Sequence, residues 1–259
     1  MRYCLLILTV FILTLAACHK EEIGPGLKEY HDDFERYNDW TDLVDSLAGD
    51  RWTEYNINEN NLSGTPITID STIVHSGHRS VCFMASQNDA GYENVVKCNL
   101  NKNGFYFPHG EVLHYSAWYY VRSADMHYGT FFILDLGDIA GGSQEIRVMC
   151  WEENVELERN KIGLPNIFQE EPVHLFPINQ WCHVELDVKL SQYRNGTVIM
   201  RLDGEEVINK DNIVTLPKDR GNLVWGTKGY YERIQVGITA KNHTQDLTMY
   251  VDDVDIWCE

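Results

Sequence analysis

The chain has 259 residues, 44% of them hydrophobic, and a formal net charge of −18. So acidic a protein is a poor partner for nucleic acid, because that association is driven by neutralising phosphates. The same field disfavours a polyanionic glycan unless a local basic patch overrides it.

The N-terminus reads MRYCLLILTVFILTLAAC. One basic residue, Arg2, precedes an apolar run from Tyr3 to Ala17, shorter than the roughly 20 residues that span a bilayer. A basic start, a short apolar centre and small residues before a break describe a secretory signal over residues 1–17. Leu15 to Cys18 resembles the lipobox of bacterial lipoproteins, which implies cleavage before Cys18 and acyl chains on its thiol, so that the membrane is met only through the anchor. His19, Lys20, Glu21 and Glu22 resemble a sorting signal for the outer face of the Gram-negative outer membrane. Residues 18–30 read as a flexible tether and 31–259 as one all-β domain.

From residue 31 the pattern is period two. In VLHYSAWYYV, Leu113, Tyr115, Ala117, Tyr119 and Val121 alternate with His114, Ser116, Trp118 and Tyr120; EIRVMCW sets Ile146, Val148 and Cys150 against Arg147, Met149 and Trp151. WCHVELDVKL sets Cys182, Val184, Leu186, Val188 and Leu190 against His183, Glu185, Asp187 and Lys189, and TVIMRLDGEEVI carries an Asp203-Gly204 hairpin cue. RIQVGITA and LTMYVDDVDIW close the chain. Each run puts one face in a core and one in water, and many such runs between Gly, Asn and Asp turns make an antiparallel sandwich. Helix is nearly absent; DWTDLVDSLAG is the one short candidate.

Of seven cysteines, Cys4 leaves with the signal and Cys18 is spent on lipid. Cys82, Cys98, Cys150, Cys182 and Cys258 remain, with no CxxC spacing to suggest zinc or redox chemistry. Cys98, Cys150 and Cys182 fall on the apolar side of alternating runs and read as small core hydrophobes, with one disulfide as the alternative.

The order of HDDFERYNDW, IVHSGHRSVCFMA, GEVLHYSAWYYV, INQWCHVELDVKLSQYRNGTVIMRLDGEEV and MYVDDVDIW resembles the concanavalin A-like lectin/glucanase jelly roll, a β-sandwich of two antiparallel sheets. It is most similar to the branch containing heparin- and glucuronan-lyase relatives. The resemblance implies a curved sheet facing a long saccharide. It also implies a structural calcium tying early and late strands, here through Glu35, His75, His78 and Asp252 or Asp253, since oxygen ligands from distant strands suit that ion.

The paired carboxylates of a retaining glycosidase are not found in ILDLGD or EIRVMCWEE. A lyase needs a base and an acid. Where the relatives carry a His and a Tyr, this chain has Gly137 and Thr239, which leaves Tyr230, Tyr231, His114 and His127 as candidates. For saccharide binding the candidates are Trp118, Tyr120, Arg147, Met149 and Trp151, which point away from the inferred core. The alternatives are packing under a loop for the two tryptophans and an ion pair for Arg147. Three functions stay open: a surface-tethered protein that binds or helps process polysaccharide, an active lyase on a uronic-acid glycan, and a protein-protein module of a surface complex.

Overall fold

The computed structural model describes residues 26–58, 66–85, 96–122, 129–136, 145–151, 154–216, 229–240 and 246–259. The signal, Cys18 and His127 therefore lie outside the described residues. Strands dominate, and two antiparallel sheets face each other, as the jelly-roll expectation requires.

One sheet has eight strands. Across it run β12 (Glu205–Ile213), β11 (Gly196–Leu202), β10 (Trp181–Lys189), β6 (Val112–Val121), β14 (Leu247–Cys258), β4 (Ser80–Ala85) and β3 (Ile67–Asp70), with β1 (Glu29–Asp32) also paired to β14. The other has six: β2 (Glu54–Asn58), β5 (Val96–Pro108), β13 (Tyr230–Ala240), β7 (Gly129–Leu136), β8 (Glu145–Trp151) and β9 (Asn154–Glu158). Residues 27–30, expected in the tether, are already held: Leu27 bridges Phe105, and β1 pairs Glu29 with Trp257.

The alternation in the sequence sets the eight-stranded sheet directly. β6 and β10 alternate half-exposed and buried residues along their whole length. Their inner rows, including Leu113, Tyr115, Tyr119, Val184 and Leu186, pack with Leu100, Ile146, Val148, Ile234 and Val236 of the six-stranded sheet in one core. The Asp203-Gly204 turn closes the β11–β12 hairpin with both residues at positive φ, 50° and 79°, matching the right-handed twist of the strands it joins. The helix candidate shrinks to one 3₁₀ turn, Trp40–Asp42, capped by Asp39. All five described cysteines are free thiols, and Cys82, Cys98, Cys150 and Cys182 are buried as core residues.

A buried carboxylate fixes the first strand to its neighbours. Asp32 is 2% exposed and accepts hydrogen bonds from Tyr37 (2.7 Å), Trp52 Nε1 (2.7 Å), Tyr30 (3.1 Å) and the Phe34 backbone (3.1 Å). Burial pushes its pKa up, and these donors and the Arg36 charge pull it back toward the ionised form.

Candidate functional site

The six-stranded sheet departs from the period-two expectation. In β8 inner and outer positions alike are buried: EIRVMC is buried at every position from Glu145 to Cys150. Strand register joins the outer rows into a polar belt. Glu54 pairs with Asn101, Asn101 with Gln235, Gln235 with Ile133, Ile133 with Arg147, and Arg147 with Glu158. Six strands at about 4.8 Å spacing make this row roughly 24 Å long. Asn56, Asn99 and Gly237 form the next row, and Asn103, Arg233, Asp135 and Glu145 flank it on the other side.

Gly237 lets β13 lie close against β5. Its φ is +132°, and a Cβ there would collide with the Cys98 carbonyl and the Asn99 Cα. Around it the amides bond to one another. Asn56 Nδ2 donates to Gln235 Oε1 (3.1 Å), Asn101 Nδ2 to Glu54 Oε1 (2.9 Å), and Asn99 Nδ2 to the Ile238 carbonyl (2.9 Å). At the far end Arg147 lies between two buried carboxylates. Its Nη2 contacts Glu145 Oε1, and its Nε is 3.5 Å from Glu158 Oε2, within ion-pair reach and beyond a hydrogen bond. Beside them the Glu156 carboxyl is pushed up by burial and by the Glu158 charge.

The belt is incomplete as it stands. Buried polar atoms are nearly always partnered. Asn101 Oδ1, Asn103 Oδ1, Asn154 Oδ1, Arg147 Nε and Glu158 Oε2 lack a hydrogen bond, and all five are on this face. Asn101 is 3% exposed, Gln235 2% and Glu158 4%, so these positions are closed in, whereas Glu54 is exposed and Asn56, Asn103 and Arg233 are half-buried, which opens the belt to solvent on its β2 side.

The candidates from the sequence divide between the two sheets. Arg147, Met149 and Trp151 belong to β8 on the six-stranded sheet, whereas Trp118 and Tyr120 belong to β6 on the eight-stranded sheet, with the core between them. They do not share one surface, because alternation shows only that a side chain leaves the core, not on which side of the sandwich it emerges. Trp118 is packed by the chain itself, stacked on His75 (ring centroids 3.7 Å apart) and His183 (4.7 Å). Tyr120 packs edge-on against Trp181 and Tyr250.

The acid-base candidates are also scattered. Tyr231 is fully buried on the core side and donates to the Thr215 carbonyl (2.7 Å), so it faces no solvent-borne substrate. His114 is on the eight-stranded sheet, 2.7 Å from Asp187 and stacked on Trp257, away from the belt. Tyr230 sits at one end of β13 against Tyr106, its pKa raised by burial and by Glu232. Among the described residues the belt carries neither His nor Tyr.

Glu35, His75, His78, Asp252 and Asp253 do meet, at the junction of the residue 75–79 turn with β14. There the carboxylates serve as hydrogen-bond acceptors. Asp252 Oδ2 accepts from the backbone of His75 (3.0 Å) and Ser76 (3.2 Å), and Glu35 Oε1 from that of His78 (2.6 Å) and Arg79 (2.8 Å). Asp253 takes His75 Nδ1 and Ser76 Oγ, each at 2.9 Å. Amide hydrogens pointed at the oxygens occupy the space a cation needs, and no group of three or more acidic, His or Cys side chains fit to hold a metal occurs among the described residues. In this arrangement the three carboxylates are engaged by the turn's own backbone and side-chain donors.

The sequence reading missed Asn99, Asn101, Asn103, Gln235, Glu145 and Glu158. The signal was present in KCNLNKN, where asparagines alternate with Cys98 and Leu100 along β5.

No protein-family model and no curated protein matches the chain. Solved structures sharing this fold include polysaccharide lyases. An endo-β-1,4-glucuronan lyase from the fungus Trichoderma reesei superposes with TM-score 0.58 at 14% identity, over 80% of this chain and 95% of its own. The alginate lyase Aly36B, in complex with an alginate tetrasaccharide, gives 0.58 at 10% identity over 90% and 97%. The cellulose-induced protein Cip1 gives 0.57 at 20% identity over 87% and 95%. At these identities the likeness is one of fold, and the jelly-roll class is established by it.

Proposed function

We propose that the protein binds polysaccharide along the polar belt of the six-stranded sheet. The carrying observation is the set of orphaned amide and charged atoms on that one face. A buried polar atom without a partner costs about 1–3 kcal/mol, so the three asparagine oxygens call for water or for the hydroxyls of a ligand, while Arg147 Nε and Glu158 Oε2 face each other as an ion pair. Sugar hydroxyls donate and accept, which suits the amide oxygens of Asn101, Asn103 and Asn154. A row roughly 24 Å long is sized for several rings of an oligosaccharide. That structures of the same fold act on glucuronan and alginate favours a uronic-acid chain.

Binding leads over cleavage because the described belt offers amides and ion pairs instead of a His or Tyr placed for proton transfer. The reading also holds that Cys18 is lipidated and that residues 18–26 tether the sandwich at the outer membrane, where such polymers are met. Titration of alginate and glucuronan tetrasaccharides into the full chain tests it. Saturable binding without ultraviolet-absorbing unsaturated product is expected. Unsaturated product would establish the lyase, and no binding of either sugar would overturn the proposal.

A further inference from the structure

The opposite side of the sandwich holds a second constructed surface. β1 and β14 present Glu29, His31, Asp255 and Trp257 outward, in register Glu29 to Trp257 and His31 to Asp255. The segment that follows β1 brings Arg36 and Asp50 over this edge, and the six residues line a cavity of about 470 Å³. That is ample for one or two sugar rings and falls in the ordinary range of ligand pockets.

Trp257 is the largest apolar side chain lining this cavity. It is 38% exposed. It is also braced: His114 stacks against it with centroids 4.8 Å apart and planes 15° from parallel. His114 is in turn held by Asp187 (2.7 Å), and Asp187 by Arg201 (2.7 Å). A chain of three supported side chains therefore fixes the indole, whose remaining surface borders the cavity. Trp118 differs, because two imidazoles already stack on it.

The polar lining selects among ligands. Arg36 is occupied by Asp50 at 2.9 Å. Glu29 and Asp255 make no hydrogen bond or ion pair among the described residues, so they stand as free acceptors beside the ring. A pyranose laid on an indole presents C–H groups to the ring and hydroxyl or ammonium donors to its sides. A uronate would bring its carboxylate against these two.

We propose that this cavity is a second saccharide site, for a pyranose that lacks a carboxylate and stacks on Trp257 while its hydroxyl or amino groups donate to Glu29 and Asp255. It does not depend on the polar belt. The protein then holds two chemically distinct sugars on opposite faces.

The test is calorimetric titration of the full chain with cellotetraose, with the glucosamine tetramer and with alginate tetrasaccharide. Saturable binding of cellotetraose or the glucosamine tetramer is expected, and which of them binds tells whether hydroxyl or ammonium donors are read. Trp257→Ala should weaken that binding tenfold or more, and Glu29→Gln with Asp255→Asn at least threefold, while Asn101→Ala on the belt leaves it unchanged. The Glu29/Asp255 pair serves as the test if Trp257→Ala fails to fold. Failure of both uncharged and amino tetramers to bind, binding untouched by the cavity variants, or competition by alginate would overturn the proposal. Loss of alginate binding alone would strike only the belt.

Discussion

Replacing Arg147 with Met tests whether the end of the belt is an electrostatic unit. Met keeps much of the aliphatic stem and deletes the guanidinium, leaving Glu145 (3% exposed) and Glu158 (4%) as buried carboxylates without their shared cation. Breaking a buried ion pair from one side costs about 3–5 kcal/mol, because the remaining charge is neither solvated nor paired. For a urea slope of about 2.5 kcal/mol per molar, the unfolding midpoint should fall by roughly 1.5 M at neutral pH. Adding Glu145→Gln and Glu158→Gln removes the stranded charges and should restore stability to within about 1 kcal/mol of the parent. The neutral triple variant should nevertheless bind alginate tetrasaccharide at least tenfold more weakly. A single Arg147→Met variant that costs under about 1 kcal/mol would refute the reasoning, since the trio would then be hydrated and not a buried unit.

Asp32→Ala leaves the hydroxyls of Tyr30 and Tyr37 and the indole N–H of Trp52 without their acceptor, and a loss of about 3–5 kcal/mol in urea unfolding is expected. The Asp252 carboxyl is pushed up to about 6, chiefly by burial. The folded chain thus holds this proton more tightly than the unfolded chain does, and the stability it contributes below about pH 4 is lost as pH rises through about 6. Between pH 4 and 7 the unfolding free energy of Asp252→Asn should rise relative to the parent by about 2 kcal/mol, read from paired denaturation curves. Because the Glu35 and Asp252 oxygens already accept backbone N–H groups, the melting temperature should be the same with chelator and with added calcium; a rise with calcium would show that the junction rearranges around the ion.

Local pattern was enough for the scaffold. Alternation along β6 and β10 placed Leu113, Tyr115, Val184 and Leu186 in the core, because a side-chain period of two is a property of the strand itself. Asp203-Gly204 named its own hairpin, because both positions need positive φ. The burial of Cys98, Cys150 and Cys182 was legible from the same alternation. What alternation does not contain is which sheet a strand joins. Trp118 and Arg147 look equivalent in sequence, yet long-range pairing sends β6 and β8 to opposite layers. The belt likewise required the register that brings Asn101, Gln235, Arg147 and Glu158, up to 134 positions apart in the chain, into one row. Burial of that row, and the bracing of Trp257 by His114, follow from how the layers close on each other. Such contacts are set by the assembled core and leave no periodic mark on any single segment.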